Sequence, residues 1–311
     1  MKVAIVQQAP VFLDRAATLD RAAGAIAEAA REGAVLAVFP EAFVPGYPAW
    51  LWRLRPGPDL GQAERLHARL LDQSVNLAAG HLAPLQAAAR QHGMTIICGL
   101  NERDPAFSGD TLYNTVVTIG PDGTLLNRHR KTMPTNPERM CWGFGDASGL
   151  KAVDTPAGRV GALICWENYM PLARCAMYAQ GVQVYVAPTY DSGERCTATM
   201  QHIAREGGCW VLGAGCAFRG RDIAPAMPAG LFADDEAWVN PGDSVIVAPG
   251  GKLIAGPLHE AHGLLVADID LDRVATARRS LDVVGHYARP DLFRLQVNTA
   301  PSRPVTFTPA E

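Results

Sequence analysis

Long hydrophobic runs are missing from this sequence. No apolar stretch reaches the roughly 18 residues that suggest a membrane-spanning helix, and the opening MKVAIVQQAP breaks off at two glutamines, unlike a secretory leader. A cytoplasmic protein without a membrane partner is the expectation. Positive charge is not in excess either: 28 Lys and Arg face 31 Asp and Glu, a net charge of -3. No basic face strong enough to hold nucleic acid is expected, and a small-molecule partner fits better. The seven cysteines form no CxxC pair and no ligand cluster with histidine, so neither a disulfide framework nor a metal site is expected. Internal repeats and low-complexity tracts are absent as well. With 48% hydrophobic and 19% charged residues, the composition is that of a globular protein with a sizeable core.

What is present is an alternation of apolar strands and amphipathic helices. KVAIV (2–6), AVLAVF (34–39), MTIICGL (94–100) and LYNTVVTIG (112–120) read as strands, and apolar spacing predicts helices over 18–31, 62–72 and 83–92. A Pro-Asp-Gly turn at 121–123 folds TLLNRH back as a hairpin. KAVDT and RVGALIC form a second hairpin about the turn at 156–158. A helix from Pro171 to Ala179, a strand over 182–187, a helix over 194–206 and a strand over 209–215 continue the pattern. Residues 216–243, rich in Gly, Pro and Asp, read as a long surface excursion. The hairpin character returns with SVIVA, KLIAG and LLVADID. Antiparallel hairpins among βα units predict one α/β domain with mixed sheets, followed from about Ser280 by an arm whose apolar residues need a surface to dock on.

Three strand ends carry reactive side chains. Cys165 ends RVGALIC at a strand-to-helix elbow, where a side chain faces a cleft and backbone N–H groups, that of Trp166 above all, face developing negative charge. Taken alone, a cysteine there is more often a core residue. Glu41 follows AVLAVFP directly, where a loop acid or cap is the plainer reading. Lys131 follows TLLNRH within HRKTMPTNPERMCWGFGD, a segment whose Glu138, Arg139, Trp142 and Asp146 exceed what a connection requires. Together the three supply the base, the cation and the nucleophile for thiol attack on a carbon-nitrogen group. His129, His202 and His286 have no part in that chemistry and read as structural. Cys98, Cys175, Cys209 and Cys216 read as core.

FPEAFVPGYP, HRKTMPTNPER and GALICWENYMPLAR resemble, in order and approximate spacing, the three signature segments of the nitrilase superfamily. MKVAIVQ, LYNTVVTIGPDG and GHYARPDLF extend the resemblance over most of the chain. CWENYMPLAR and GHYARPD resemble the nitrilase branch itself, while GDASG and YPAWLWRLRPG depart from the pattern and bear on the substrate. The resemblance implies a four-layer αββα sandwich over residues 1–280, with an arm over 281–311 at a subunit interface of a homodimer or larger homo-oligomer. It implies Glu41 as base, Lys131 as cation, Cys165 as nucleophile and Glu138 as an additional active-site glutamate, with Tyr47 and Trp166 as candidates for the substrate pocket. The implied reaction is hydrolysis of an organic nitrile to acid and ammonia without a cofactor. An amidase or carbamoylase with the same triad is the alternative.

Overall fold

The computed structural model describes residues 1–106, 108–232 and 235–308. Its first half supplies five strands of one sheet and three helices. β1 (Lys2–Gln7), α1 (Arg15–Arg31), β2 (Ala34–Val38), α2 (Leu60–Gln73), α3 (Ala83–His92), β3 (Thr95–Asp104), β4 (Thr111–Ile119) and β5 (Leu125–Arg130) follow in order. The second half contributes β6 (Val153–Thr155), β7 (Gly158–Ala162), α4 (Pro171–Tyr178), β8 (Val184–Thr189), α5 (Gly193–Glu206) and β9 (Trp210–Gly215). It closes with β10 (Ala217–Arg219), α6 (Gly220–Ile223), β11 (Trp238–Val247), β12 (Leu253–His259), β13 (Gly263–Asp268) and α7 (Asp272–Ser280).

The strands sort into two mixed sheets. The first runs β13-β1-β2-β3-β4-β5, parallel from β1 to β3 and antiparallel elsewhere. The second runs β10-β11-β9-β8-β7-β6, with β12 also paired to β11. Strands buried on both faces explain the continuous apolar runs of β1, β2, β8 and β9. Val3, Ile5, Leu36, Val38 and Ile97 of the first sheet pack against Val160, Ile164, Val184, Trp210 and Leu212 of the second, so the sheets face each other. The outer face of the first sheet is covered by α1 and α3 through Leu19, Ile26 and Leu85. Ala176 and Met177 of α4, with Met200 and Ile203 of α5, cover the second. The result is the expected four-layer sandwich, and each fully buried Val, Leu or Ile in it contributes roughly 1.5–3 kcal/mol.

Two expectations need correction. α1 begins at Arg15, not Thr18, because the Asp14 carboxylate caps the helix by accepting from the Ala17 N–H at 2.9 Å. The segment 216–243 is not a surface excursion. It holds β10, α6 and the start of β11, and its Phe218, Ile223 and Phe232 join Phe12, Tyr47, Trp50 and Leu70 in a buried cluster. Aromatic and aliphatic residues too irregularly spaced to show a period are packed there by surrounding elements; residues 233–234 lie outside the described ones. The arm has no helix or strand among its described residues; residues 309–311 lie outside them. Val283 and Val284 pack against the buried cluster beneath α4 and α5, and the Ser302 N–H donates to Asp146 at 2.7 Å. Tyr287, Phe293 and Phe307 remain 64, 77 and 88% exposed.

Candidate active site

Glu41 stands two residues beyond Phe39, on the turn that leaves β2. Ala42 takes a left-handed φ of 48°, and the turn lies so close to β3 that a Cβ on Gly99 would fall 2.2 Å from the Pro40 carbonyl oxygen. Only glycine fits that crossing. Val44 N–H donates to the Gly99 carbonyl, and Asn101 N–H donates back to the Val44 carbonyl, fixing the turn. The Glu41 carboxylate, fully buried, accepts from Lys131 Nζ at 2.8 Å, from Asn114 Nδ2 at 2.7 Å and from the Tyr190 backbone N–H at 2.6 Å. Tyr190 is itself held by stacking on Tyr47, ring centroids 3.8 Å apart.

Lys131 follows the last residue of β5 and its backbone N–H donates to the Asn114 carbonyl, so β4 positions both the lysine and a partner of the glutamate. Its ammonium is bracketed by carboxylates, with Glu138 Oε2 at 2.7 Å on the other side. Glu138 sits in a 3-10 turn over Asn136–Met140, accepts from the Thr135 N–H at 2.7 Å, and accepts the Tyr47 hydroxyl at 2.7 Å. Cys165 comes from the second sheet, three residues beyond β7, and opens a 3-10 turn over Cys165–Tyr169 with a left-handed φ of 51°. A non-glycine residue held there costs of order 1–3 kcal/mol. Asn168 Nδ2 donates to the Cys165 carbonyl at 2.7 Å, and Tyr185 donates to Asn168 Oδ1 at 2.8 Å, which retains the strained turn.

Burial decides most of the titration here. It raises the pKa of Glu41, against the pull of Lys131, making this carboxylate a stronger base than a surface one. Burial and the Glu41 charge push the Cys165 thiol up, with Lys131 drawing it down, and the net result is a protonated thiol at rest. Lys131 is driven the other way. Burial disfavours its charge, but Glu41, Cys165 and Glu138 together hold it as an ammonium. Burial and Glu138 lift the Tyr47 phenol well above its usual range, leaving it a neutral donor. A buried cation between two acids, within electrostatic reach of a thiol, is an arrangement for moving one proton and stabilising one anion.

The carbon-nitrogen hydrolase family profile matches residues 2–279. The chain belongs to the carbon-nitrogen hydrolase family. It is 43% identical to a bifunctional nitrilase/nitrile hydratase of Lupinus angustifolius, over 100% of this chain and 89% of that one. It is 42% identical to nitrilase 3 of Arabidopsis thaliana, over 99% and 89%, and 42% identical to an aliphatic nitrilase of Sinorhizobium fredii, over 98% and 97%. Among solved structures, the fold resembles a carbon-nitrogen hydrolase of Helicobacter pylori, with a TM-score of 0.70 at 20% identity over 94% of this chain and 96% of that one.

In this carbon-nitrogen hydrolase the structure brings Glu41, Lys131, Glu138 and Tyr47 into one hydrogen-bonded chain, with Cys165 beside it. Trp166 lies apart from that chain. It is 48% exposed and, with Tyr169 and Asp191, lines a cleft of about 760 Å³. Asp191 accepts from the Trp166 indole N–H at 3.2 Å and from the Tyr169 hydroxyl at 2.9 Å. Cys216 is buried, and its thiol donates to the Glu41 carbonyl at 3.3 Å, so this core cysteine adjoins the site. His129 is buried against Glu167, while His202 is an exposed partner of Glu206. Sequence reasoning missed Asn114, Tyr190 and Glu167. Of these, Glu167 left a signal, an acid beside an asparagine two residues after the candidate nucleophile. Among the described residues no helix is long and apolar enough to cross a membrane.

Proposed function

We propose that this chain is a nitrilase, hydrolysing an organic nitrile to the carboxylic acid and ammonia through covalent intermediates on Cys165. The observation that carries the reading is the Lys131 ammonium held at 2.8 Å from Glu41 and 2.7 Å from Glu138, next to a thiol at a strained elbow. The relatives named nitrilases at 42–43% identity support the nitrile over other carbon-nitrogen substrates.

Glu41 takes the Cys165 proton, the sulfur adds to the nitrile carbon, and the nitrogen receives the proton, giving a thioimidate. Water then adds with Glu41 as base. The tetrahedral intermediate is stabilised by Lys131 and the Trp166 backbone N–H. Its C–N bond breaks as the nitrogen gains a proton, ammonia leaves, and a thioester remains. A second water, again deprotonated by Glu41, adds to the thioester carbon. The C–S bond breaks, Cys165 recovers its proton, and the acid departs. Breaking C–S in place of C–N at the first tetrahedral intermediate would release the amide, the product implied by the second activity in the lupin relative's name. Glu138, bonded to both Lys131 and Tyr47, keeps the ammonium in register.

Residues 281–311 form an arm that meets a second copy of the chain, because Phe293 and Phe307 leave large apolar side chains in solvent on a single subunit. A homo-oligomer follows from that reading. Ammonia, acid and amide release from matched aromatic, arylaliphatic and aliphatic nitriles and their amides tests the activity. Acid and ammonia from at least one nitrile, faster than from its amide, is the expected result; faster amide turnover would make the chain an amidase.

A further inference from the structure

Glu167 lies two residues after Cys165 and has no part in the steps above. Its carboxylate is 1% exposed and surrounded by donors. Oε1 accepts from the Thr132 backbone N–H and the Thr132 hydroxyl, both at 2.7 Å. Oε2 accepts from the Ile164 N–H at 2.8 Å, and His129 Nε2 stands 3.0 Å from Oε2 and 3.2 Å from Oε1. These partners flank the reacting groups. Thr132 follows Lys131, Ile164 precedes Cys165, and His129 stands two residues before Lys131. The lysine segment leaves the first sheet and the cysteine elbow leaves the second, so one carboxylate joins the two halves of the site. Burial opposes its charge, yet His129 and the backbone N–H groups of Thr132 and Ile164 hold its pKa down at about 2.

We propose that Glu167 is a positioning residue that sets the placement of Lys131 relative to Cys165 by bridging Thr132 and Ile164; the proposal rests on the nitrilase reading above. Asn168 fixes the Cys165 carbonyl from the other side of the turn, so the nucleophile is held at both ends of the Glu167-Asn168 pair. The bridge requires a group that only accepts. In Glu167→Gln, one oxygen becomes an NH2 that faces either the Thr132 N–H or the Ile164 N–H, donor against donor, and that side of the bridge opens.

The test compares wild type, Glu167→Gln, Glu167→Asp and the milder Thr132→Val, which removes a single hydroxyl donor. Misplacement by about 1 Å predicts a kcat about a hundredfold lower in Glu167→Gln, with KM changed by no more than about threefold because ground-state contacts persist. Glu167→Asp, which keeps two accepting oxygens, recovers part of the loss. Independently of any substrate, the rate of Cys165 alkylation by iodoacetamide is followed against pH by peptide mass spectrometry. Around the thiol, Glu41 and Glu138 oppose the thiolate and Lys131 favours it, so displacing Lys131 moves the profile to higher pH in Glu167→Gln, and less far in Thr132→Val. A lowered Tm with kcat per folded molecule and the alkylation profile both unchanged would assign Glu167 to fold stability alone and overturn the proposal. If wild type turns over no nitrile, the reading of the reaction fails while the alkylation arm still judges Glu167.

Discussion

Replacing Lys131 with methionine keeps an unbranched side chain one atom shorter and removes the ammonium that Glu41 and Glu138 share. At 2.8 and 2.7 Å, each contact amounts to about 6 kcal/mol at an effective dielectric near 20, before desolvation is subtracted. Desolvation consumes much of that, and the net loss on stripping the cation from a buried pair is about 3–5 kcal/mol, against a total stability of roughly 5–15 kcal/mol. The penalty depends on pH in a definite direction. Burial already raises Glu41 above its ordinary 4.5, and without Lys131 the two acids repel each other unopposed. A carboxylate whose folded pKa exceeds its unfolded value favours the fold below the unfolded value and destabilises it increasingly as pH rises towards the folded one. The variant's penalty relative to wild type is therefore small near about pH 5 and larger near about pH 8, by about 1.4 kcal/mol for each unit by which the change shifts one acid. Urea unfolding followed by circular dichroism at both pH values, on wild type and Lys131→Met, measures it. An equal penalty at both would refute the shared-cation argument.

Cys165→Ala is expected to lose all turnover while unfolding within a few degrees of wild type; activity above about a hundredth of wild type would remove the thiol from the mechanism. Gly99→Ala drives a Cβ to 2.2 Å from the Pro40 carbonyl, displacing the turn that carries Glu41. A loss of about 1–3 kcal/mol is expected together with a reduced kcat, and an unchanged Tm would contradict the crossing described. Removing residues 281–311 should lower both the assembly mass seen by light scattering and nitrile hydrolysis. A fully active truncated chain of unchanged mass would dismiss the arm as an interface.

Much of the fold was legible because its strands are buried on both faces and therefore spell continuous apolar runs. The positions of Glu41 and Cys165 at strand ends could be read from those runs, since each stands where apolarity stops, whereas Lys131 follows the polar end of the exposed strand β5 and was marked by the unusual segment after it. The sheet order could not. β13 pairs with β1 from Lys2↔Asp268 to Gln7↔Gly263, a contact between distant segments that local periodicity does not encode. Residues 216–243 were misread because Gly, Pro and Asp signal turns, whereas the burial of Phe218 and Phe232 is imposed by Phe12, Tyr47 and Trp50 arriving from elsewhere. Glu167 escaped for a related reason. Its significance lies in two donors, Thr132 and Ile164, 32 residues apart, and neither stands out by type.

The β1-β13 ladder also bears on how the protein is made. The strand Lys2–Gln7 is synthesised long before the partner it needs, since it gains its antiparallel neighbour only after Asp268 has left the ribosome. Until then β1 presents an open edge beside an apolar face, the type of surface that pairs with other chains. Every nascent chain passes through that interval, so demand for chaperones should persist until residues 263–268 emerge, and premature termination before residue 263 should yield aggregates.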